Sequence, residues 1–444
     1  PARAETDIRA FTYPDVLDSI ARTTRQGESM SDQDLELAAG NGLFDRRVFL
    51  RGGLAGVTLL SASAGAVERE DWMRAPGAPM DEIGEPSPHE AHVRRSFRSA
   101  PGTTGTGVSL TPLEHLDGII TPSRLHFERH HSGIPAIDPG QHRLVIHGMV
   151  ERPLSFSLDA LARYPTVSRI NFLECSGNSG ASLRPEPMQA PCSAVHGLVA
   201  ASEWGGVPLS VLLDEAGVKP GASWVVAEGA DSPVMNRSVP LQKAMGDAIV
   251  ALYQNGERLR PSNGYPMRLF LPGWEGNMSV KWLRTIKVVD QPAMSKDETS
   301  KYSDLQKDGS AKLFTFPMGV KSLITSPSHG LNLGPRGIYQ VKGLAWSGAG
   351  RIRRVEVSAD GGRTWADAAL DEHVLPMSLT RFRSAWRWEG SPAVLMSRAT
   401  DEAGNVQPSR SALLAERAAG AFYHYNGIQA WQVSENGEVS NVYA

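Results

Sequence analysis

The chain has 444 residues and a formal net charge of −3, with 45 Lys and Arg against 48 Asp and Glu, so no general attraction to nucleic acid or to an anionic membrane surface is expected. The length exceeds one ordinary domain and predicts two or three of about 100 to 200 residues each. Only two cysteines occur, Cys175 and Cys192, in neither a C-x-x-C-H nor a paired C-x-x-C arrangement, which excludes a covalent c-type haem and a four-cysteine zinc site in this chain.

In chain order, "DRRVFLRGGLAGVTLLSASAGA" (45–66) joins paired arginines to a short run of small and apolar residues ending in A-x-A, too short to span a bilayer. Arg46-Arg47 ahead of Phe49-Leu50 looks like a twin-arginine export signal, with a cut expected after Ala66 and a periplasmic mature protein. Residues 1–66 are thus expected to form a removed leader, of which 1–44 carry no function. Residues 67–112 are rich in Pro, Gly, Arg and Glu and predict an irregular arm. From Leu113 the texture is mostly β. "HRLVIHGMV", "SRINFLEC", "SWVVAEGA", "AIVALYQNGE" and "MRLFLPG" are rich in β-branched or aromatic residues and stop at Gly, Pro or polar turns, whereas "SLDALARYP" and "PLSVLLDEAG" predict the few helices. Near residue 315 the pattern changes to alternating strands about ten residues apart, as in an immunoglobulin-type β-sandwich over 315–420. There "ADGGRTW" signals a hairpin whose Trp365 is expected to face the core. The segment 421–444 is too aromatic for a frayed tail and is expected to pack on another surface or on a partner. The fold class is α+β, mostly β.

Three fragments bear chemistry. In "RINFLECSGNSG" a lone thiol, Cys175, follows a strand and precedes a turn. A soft thiolate so placed suits a metal whose other ligands come from an organic cofactor, and it equally suits a buried structural cysteine. In an oxidising compartment Cys175 and Cys192 could instead pair, although Cys192 beside "VHGLVAASEW" also suits a small core position. "FERHHSGIP" (127–135) places Arg129 and His131 on one side of an extended strand, as a site or as a surface patch. "GYPMRLFLPGWEGNMSVKWL" (264–283) joins a strand, a glycine-containing loop and Lys281, suited to cradling an anion or to an ordinary turn with a solvated lysine.

Together these ordered fragments, with S-x-D-G-G-x-T-W in the second domain, resemble the sulfite oxidase family of molybdenum enzymes from about residue 113 to 415. The resemblance implies a molybdopterin-binding domain over 113–314 followed by an immunoglobulin-like dimerisation domain, and a molybdopterin molybdenum cofactor with Cys175 as the protein ligand to the metal. Phe127, Arg129, His130 and His131 would line pterin and metal. Asp231, Asn263, Arg268, Gly276, Asn277, Ser279 and Lys281 would hold the pterin and its phosphate. Arg129, together with Arg381 or Arg383 of "RFRSAW", would steady the oxidised sulfur. A bridge between Cys175 and Cys192 is incompatible with that metal ligation.

Departures from the animal sulfite oxidases narrow the reading. Gly180 stands where they carry a sulfite-collecting arginine, with Arg184 a candidate substitute, and Met235, near Arg237, stands where they carry a tyrosine. With no cytochrome b5 domain, electrons must leave to another protein. These features look like the sulfane dehydrogenase branch, which implies a dihaem cytochrome c partner, a sulfur-carrier protein as substrate, and a homodimer of this chain within a heterotetramer. Electrons from oxygen-atom transfer to carrier-bound sulfane sulfur would pass to haem. The alternatives are a sulfite:cytochrome c dehydrogenase, a sulfoxide reductase on the same fold, and a cofactor-free binding module.

Overall fold

The computed structural model describes residues 37–46, 73–76, 79–80, 82–418 and 420–444. Most of the expected export signal, from Arg47 to the cut after Ala66, lies outside them. No described helix is long and apolar enough to cross a membrane.

The first domain rests on two five-stranded sheets. One orders Asn236–Pro240, Trp224–Gly229, Leu283–Val289, Leu144–Gly148 and Leu154–Phe156, antiparallel except where Leu283–Val289 runs parallel to Leu144–Gly148. The sequence explains its central strand: in Trp224–Gly229 every second residue is buried, the period of a strand with one face on a core. Val225 and Ala227 thereby meet Ile286, Val288, Leu144 and Ile146. The helix Leu209–Ala216 closes this core with Leu209, Leu212, Leu213 and Ala216. It ends because Gly217 adopts a left-handed conformation (φ 71°) and its N–H caps the carbonyls of Leu213 and Asp214.

The second sheet orders Glu257–Arg258, Ile249–Gln254, Val199–Pro208 and Val167–Glu174, with Arg268–Phe270 also on Ile249–Gln254. It carries the site. The Val199–Pro208 strand was not anticipated, because consecutive glycines, Gly205 and Gly206, interrupt its apolar run. Within the expected irregular arm, Ser96–Ser99 and Gly107–Leu110 instead form a hairpin whose inner strand pairs with Glu128–His130. Its polar outer strand is exposed throughout, which is why it lacked an apolar signature.

The second domain is the anticipated two-sheet sandwich. Thr380–Trp388, Gly337–Trp346 and Lys321–Ser326 form one sheet, faced by a second built on Ile352–Ser358 and Ala393–Asp401. One expectation needs correction, and two further segments join the sandwich sheets. Trp365 is only half-buried, beneath the Arg398 guanidinium at 4.5 Å, because the tight turn returns its indole N–H to Gly362. The C-terminal segment packs on its own chain, since Ala430–Val433 and Val439–Val442 extend the second sheet and bury Trp431. Within the expected leader, Leu37–Ala39 and Leu43–Phe44 extend the first sheet, where Leu43 and Phe44 are buried beside Trp386.

Candidate active site

The strand Val167–Glu174 delivers Cys175 to the rim of a cavity lined on its far side by Asn263, Arg268, Ser279 and Lys281. Its last residue fixes the position. The buried Glu174 carboxylate accepts from Lys321 Nζ (3.0 Å), Trp346 Nε1 (2.7 Å) and Asn178 Nδ2 (2.9 Å), all of which hold the strand end. The Cys175 amide donates to the Leu198 carbonyl (2.9 Å), and its own carbonyl accepts the Asn178 amide (2.8 Å), closing a tight turn. Burial pushes the Cys175 thiol up, opposed by the Gly177 N–H and by Arg129, so by itself it stays protonated. A bound cation would reverse that balance.

Cys175 and Cys192 are both free thiols. Cys192 is fully buried, with its sulfur 3.8 Å from the Ile324 carbonyl, a core position as expected.

The cavity gathers Phe127, Arg129, His130, His131, Cys175, Asp231, Asn263, Arg268, Gly276, Asn277, Ser279 and Lys281. Lys281 Nζ donates to the carbonyls of Arg129 (3.1 Å) and Ser262 (3.2 Å) and to His130 Nδ1 (3.0 Å), above the Trp282 ring at 4.3 Å. Arg268 donates to the carbonyls of Asn263 (2.9 Å) and Ser279 (2.7 Å) and lies over Trp204 at 5.1 Å. Asn263 is oriented by Gln254 (2.8 Å), and Asp231 accepts the Met235 amide (3.1 Å). At Gly276 a Cβ would lie 2.8 Å from the Glu174 carbonyl, so glycine is what lets this loop rest against the cysteine strand. Asn277 bridges Glu275 (2.7 Å) and the Ser176 hydroxyl (3.1 Å).

The electrostatics ask for an anion. Among the described residues no carboxylate lies within ion-pair distance of Lys281 or Arg268. Burial, then Arg268, pulls Lys281 down to about 7, and burial pulls Arg268 well below its ordinary value. Arg268 Nε and His126 Nε2 are buried without hydrogen-bond partners. The orphaned Arg268 donor and these unpaired cations are costly alone and satisfied by an anionic ligand, whereas the neutral His126, whose Nδ1 donates to the Phe127 carbonyl, offers an acceptor at Nε2. No three His, Cys, Asp or Glu side chains converge as a metal site among the described residues. A metal on Cys175 therefore takes its other ligands from a non-protein group.

Cys175, Arg129, His131 and Tyr302 also border an outer cleft, whereas Lys281, Arg268, Asn263 and Ser279 border only the inner cavity. Arg129 spends its contacts on backbone carbonyls, of His130 and of Gly107 (3.5 Å), and no carboxylate pairs with it among the described residues. Burial first, then Arg129 and Lys281, hold His131 down to about 4, so its imidazole is neutral.

Some expectations fail. Arg381 and Arg383 line neither space. Arg381 is buried against the Leu116 and Gly118 carbonyls (3.3 and 3.0 Å), and Arg383 grips Asp371 and Asp117 (2.9 and 2.8 Å), so both clamp the 116–118 loop to the sandwich. Arg184 is exposed and gives only its carbonyl to Arg410, so it does not replace the arginine missing at Gly180. Arg237 is buried between Glu298, Glu275 and Asn277.

Met235 does line the cavity, but the site is not without a phenol. Tyr302 is buried there with its hydroxyl 3.0 Å from His131 Nε2. Tyr302 escaped sequence reading because it lies in a stretch without periodic pattern. Phe422 and Tyr423 of the C-terminal segment line the outer cleft, and their aromatic cluster was the only signal.

Residues 131–296 match the family described as oxidoreductase molybdopterin binding domain, and residues 312–429 match the Mo-co oxidoreductase dimerisation domain. Sulfite oxidase of Gallus gallus is 30% identical over 378 residues, covering 78% of this chain and 79% of that protein. An NADH nitrate reductase of Ulva prolifera is 30% identical over 333 residues, which cover 66% of this chain but only 38% of that much longer protein. Among solved structures, the sulfane dehydrogenase SoxCD from Paracoccus pantotrophus superposes with a TM-score of 0.82 at 44% identity, covering 85% of this chain and 98% of that one. The chain belongs to the sulfite oxidase family of molybdopterin oxidoreductases. The family's molybdopterin molybdenum cofactor fits what this cavity offers, a single thiol beside buried cations and the orphaned Arg268 donor.

Proposed function

We propose that this chain is the catalytic subunit of a sulfane dehydrogenase, oxidising sulfur carried as a persulfide on the cysteine of a carrier protein. The observation that carries the reading is the position of Cys175, which borders both the inner cavity with its unpaired cations and an adjoining cleft that Lys281 and Arg268 do not reach. The likeness to the Paracoccus pantotrophus structure supports it. So does Gly180, which brings no charge to the mouth of the site.

When bound, the pterin-held molybdenum supplies oxygen-atom transfer and accepts an electron pair, so that RSS⁻ and water give RSSO⁻, two protons and two electrons per cycle. The chain's residues do the rest. Lys281, Arg268, Asn263 and Ser279 hold the anionic end of the cofactor, and Asp231, His130, Gly276 and Asn277 shape its bed. Cys175 offers the thiolate. Arg129, with no carboxylate at ion-pair distance among the described residues, steadies negative charge as it builds on the oxidised sulfur. Tyr302 is fixed by a neutral His131, so its phenol is oriented without adding a competing cation.

The electrons leave singly to a separate dihaem c-type cytochrome. Two copies of this chain join through their sandwich domains within a heterotetramer, and the export signal sends the folded chain to the periplasm. The second reading, a sulfite:cytochrome c dehydrogenase, shares every cavity residue and differs only in substrate.

The test uses the purified holoenzyme with its cytochrome. Turnover of a carrier-bound persulfide, with free sulfite at least about a hundredfold poorer in kcat/KM, is expected. Fast sulfite oxidation without a carrier would establish the second reading instead. Replacing Cys175 by Ser is expected to leave molybdenum content largely intact, because the pterin contacts are many, while turnover collapses.

A further inference from the structure

The ring of Phe422 sits on the turn that follows Cys175. A Cβ at Gly177 would lie 2.8 Å from this ring and one at Gly180 only 2.9 Å, so the two glycines make the seat and the ring fills it. Yet Phe422 is 53% exposed, a large apolar surface at the mouth of a functional cleft.

The ring is held in place. Tyr423 packs edge-on against it at 5.3 Å and reaches Tyr302 at 5.4 Å. The His424 amide donates to the Ser176 carbonyl (2.7 Å), and its imidazole is clasped by Asp304 (2.7 Å) and Glu275 (3.2 Å). The wall around the thiol is apolar in part: Val108, Leu198, Pro233 and Met235 join Phe422; Arg129 faces both the cleft and the inner cavity, and Lys296, Asp297 and Lys301 border the cleft without reaching the inner cavity.

We propose that Phe422 is the specificity-determining residue of the outer cleft, an apolar wall beside the thiol turn that admits sulfur borne on an uncharged arm and disfavours free sulfur oxyanions. The inference rests on the sulfane reading above and deepens it. A strongly hydrated sulfite or sulfate must shed water against a ring that returns no hydrogen bond, whereas an alkyl-borne sulfane brings apolar surface that the ring covers favourably.

Phe422→Arg, Phe422→Ala and Phe422→Leu test it in the molybdenum-loaded enzyme. The readouts are molybdenum per chain, kcat/KM with sulfite and with ethyl persulfide, and the dissociation constant of sulfate from quenching of tryptophan fluorescence. Phe422→Arg is expected to raise kcat/KM for sulfite and tighten sulfate binding by about tenfold each, the scale of one added charge-assisted hydrogen bond, while kcat/KM for ethyl persulfide falls. Phe422→Ala should raise KM for ethyl persulfide several-fold with little change in kcat, and Phe422→Leu should stay within about twofold of wild type. A fully loaded Phe422→Arg that binds sulfate no more tightly than wild type overturns the proposal, as does an equal change for both substrates. Wild-type enzyme that oxidises sulfite rapidly and ignores ethyl persulfide would sink the sulfane reading, while the sulfate comparison would still decide the role of Phe422.

Discussion

His424 shows how one side chain ties the C-terminal segment to the site. Its two ring nitrogens meet two buried carboxylates, Asp304 and Glu275, while Arg417 holds the His424 carbonyl (3.0 Å) and Asp304 (3.2 Å), and Arg237 reaches Glu275 (3.4 Å). Burial works against charge on the imidazole, but its hydrogen bonds to Asp304 and Glu275 outweigh it and raise His424 to about 9. A group whose pKa is raised on folding contributes stability that is complete below its unfolded value of about 6.5 and is lost as pH climbs through the folded value. The window is therefore about pH 6.5 to 9, and the contribution is about 3 kcal/mol. Urea unfolding of wild type and His424→Gln should show the variant less stable at pH 6 and the gap between them closing across that window; the gap isolates His424, because Lys281, held down to about 7, shifts both profiles in the opposite sense. Parallel profiles for the two proteins would mean that the imidazole is not charged in the folded state.

At the scale of elements, the strand Val167–Glu174 owes its inner half to the second domain. Phe172 donates its amide to the Met377 carbonyl (3.0 Å), and Glu174 ends the strand inside a shell supplied by Lys321 and Trp346. Lys321→Ala would strand a buried carboxylate, a change that costs about 3 to 5 kcal/mol, whereas Lys321→Met with Glu174→Gln removes both charges and should recover much of that loss. Chemical denaturation of the two variants reads the difference, and equal destabilisation would show that volume rather than charge is at stake. The same strand marks how far sequence reading reaches. Its β-branched and aromatic run, the polar turn after it and the lone thiol are local signals, so strand, turn and Cys175 were all legible. The cationic cradle was legible too, because Arg268, Ser279 and Lys281 fall within one hairpin-like stretch. The destination of Arg381 and Arg383 was not. An alternating strand reveals which residues share a face, but the loop that meets that face, here 116–118, is set by packing between domains. Tyr302, Phe422 and Tyr423 reach the site from segments far along the chain, and nothing local to them encodes that meeting.

Over the whole molecule, the boundary near residue 315 divides the sequence more cleanly than it divides the core. Leu113, Phe172, Cys192, Val199 and Ala201 of the first domain pack in one cluster with Leu323, Trp346, Phe382 and Trp431 of the sandwich. The anticipated two-domain order was right because each half carries its own strand periodicity, yet the interface was invisible, since buried interdomain positions read in sequence simply as core. Each such side chain is worth about 1.5 to 3 kcal/mol when fully buried. Exposing Leu113, Phe172 and Val199 while leaving Glu174 without Lys321 would cost on the order of the entire marginal stability of a domain, about 5 to 15 kcal/mol. The described chain should therefore unfold as a single cooperative unit, and residues 113–314 produced alone should be insoluble or lack fixed structure. Scanning calorimetry decides this: a ratio of calorimetric to van't Hoff enthalpy near one is expected, and two resolved transitions, or a fragment 113–314 that folds and retains molybdenum, would show that the domains are energetically independent despite their shared core.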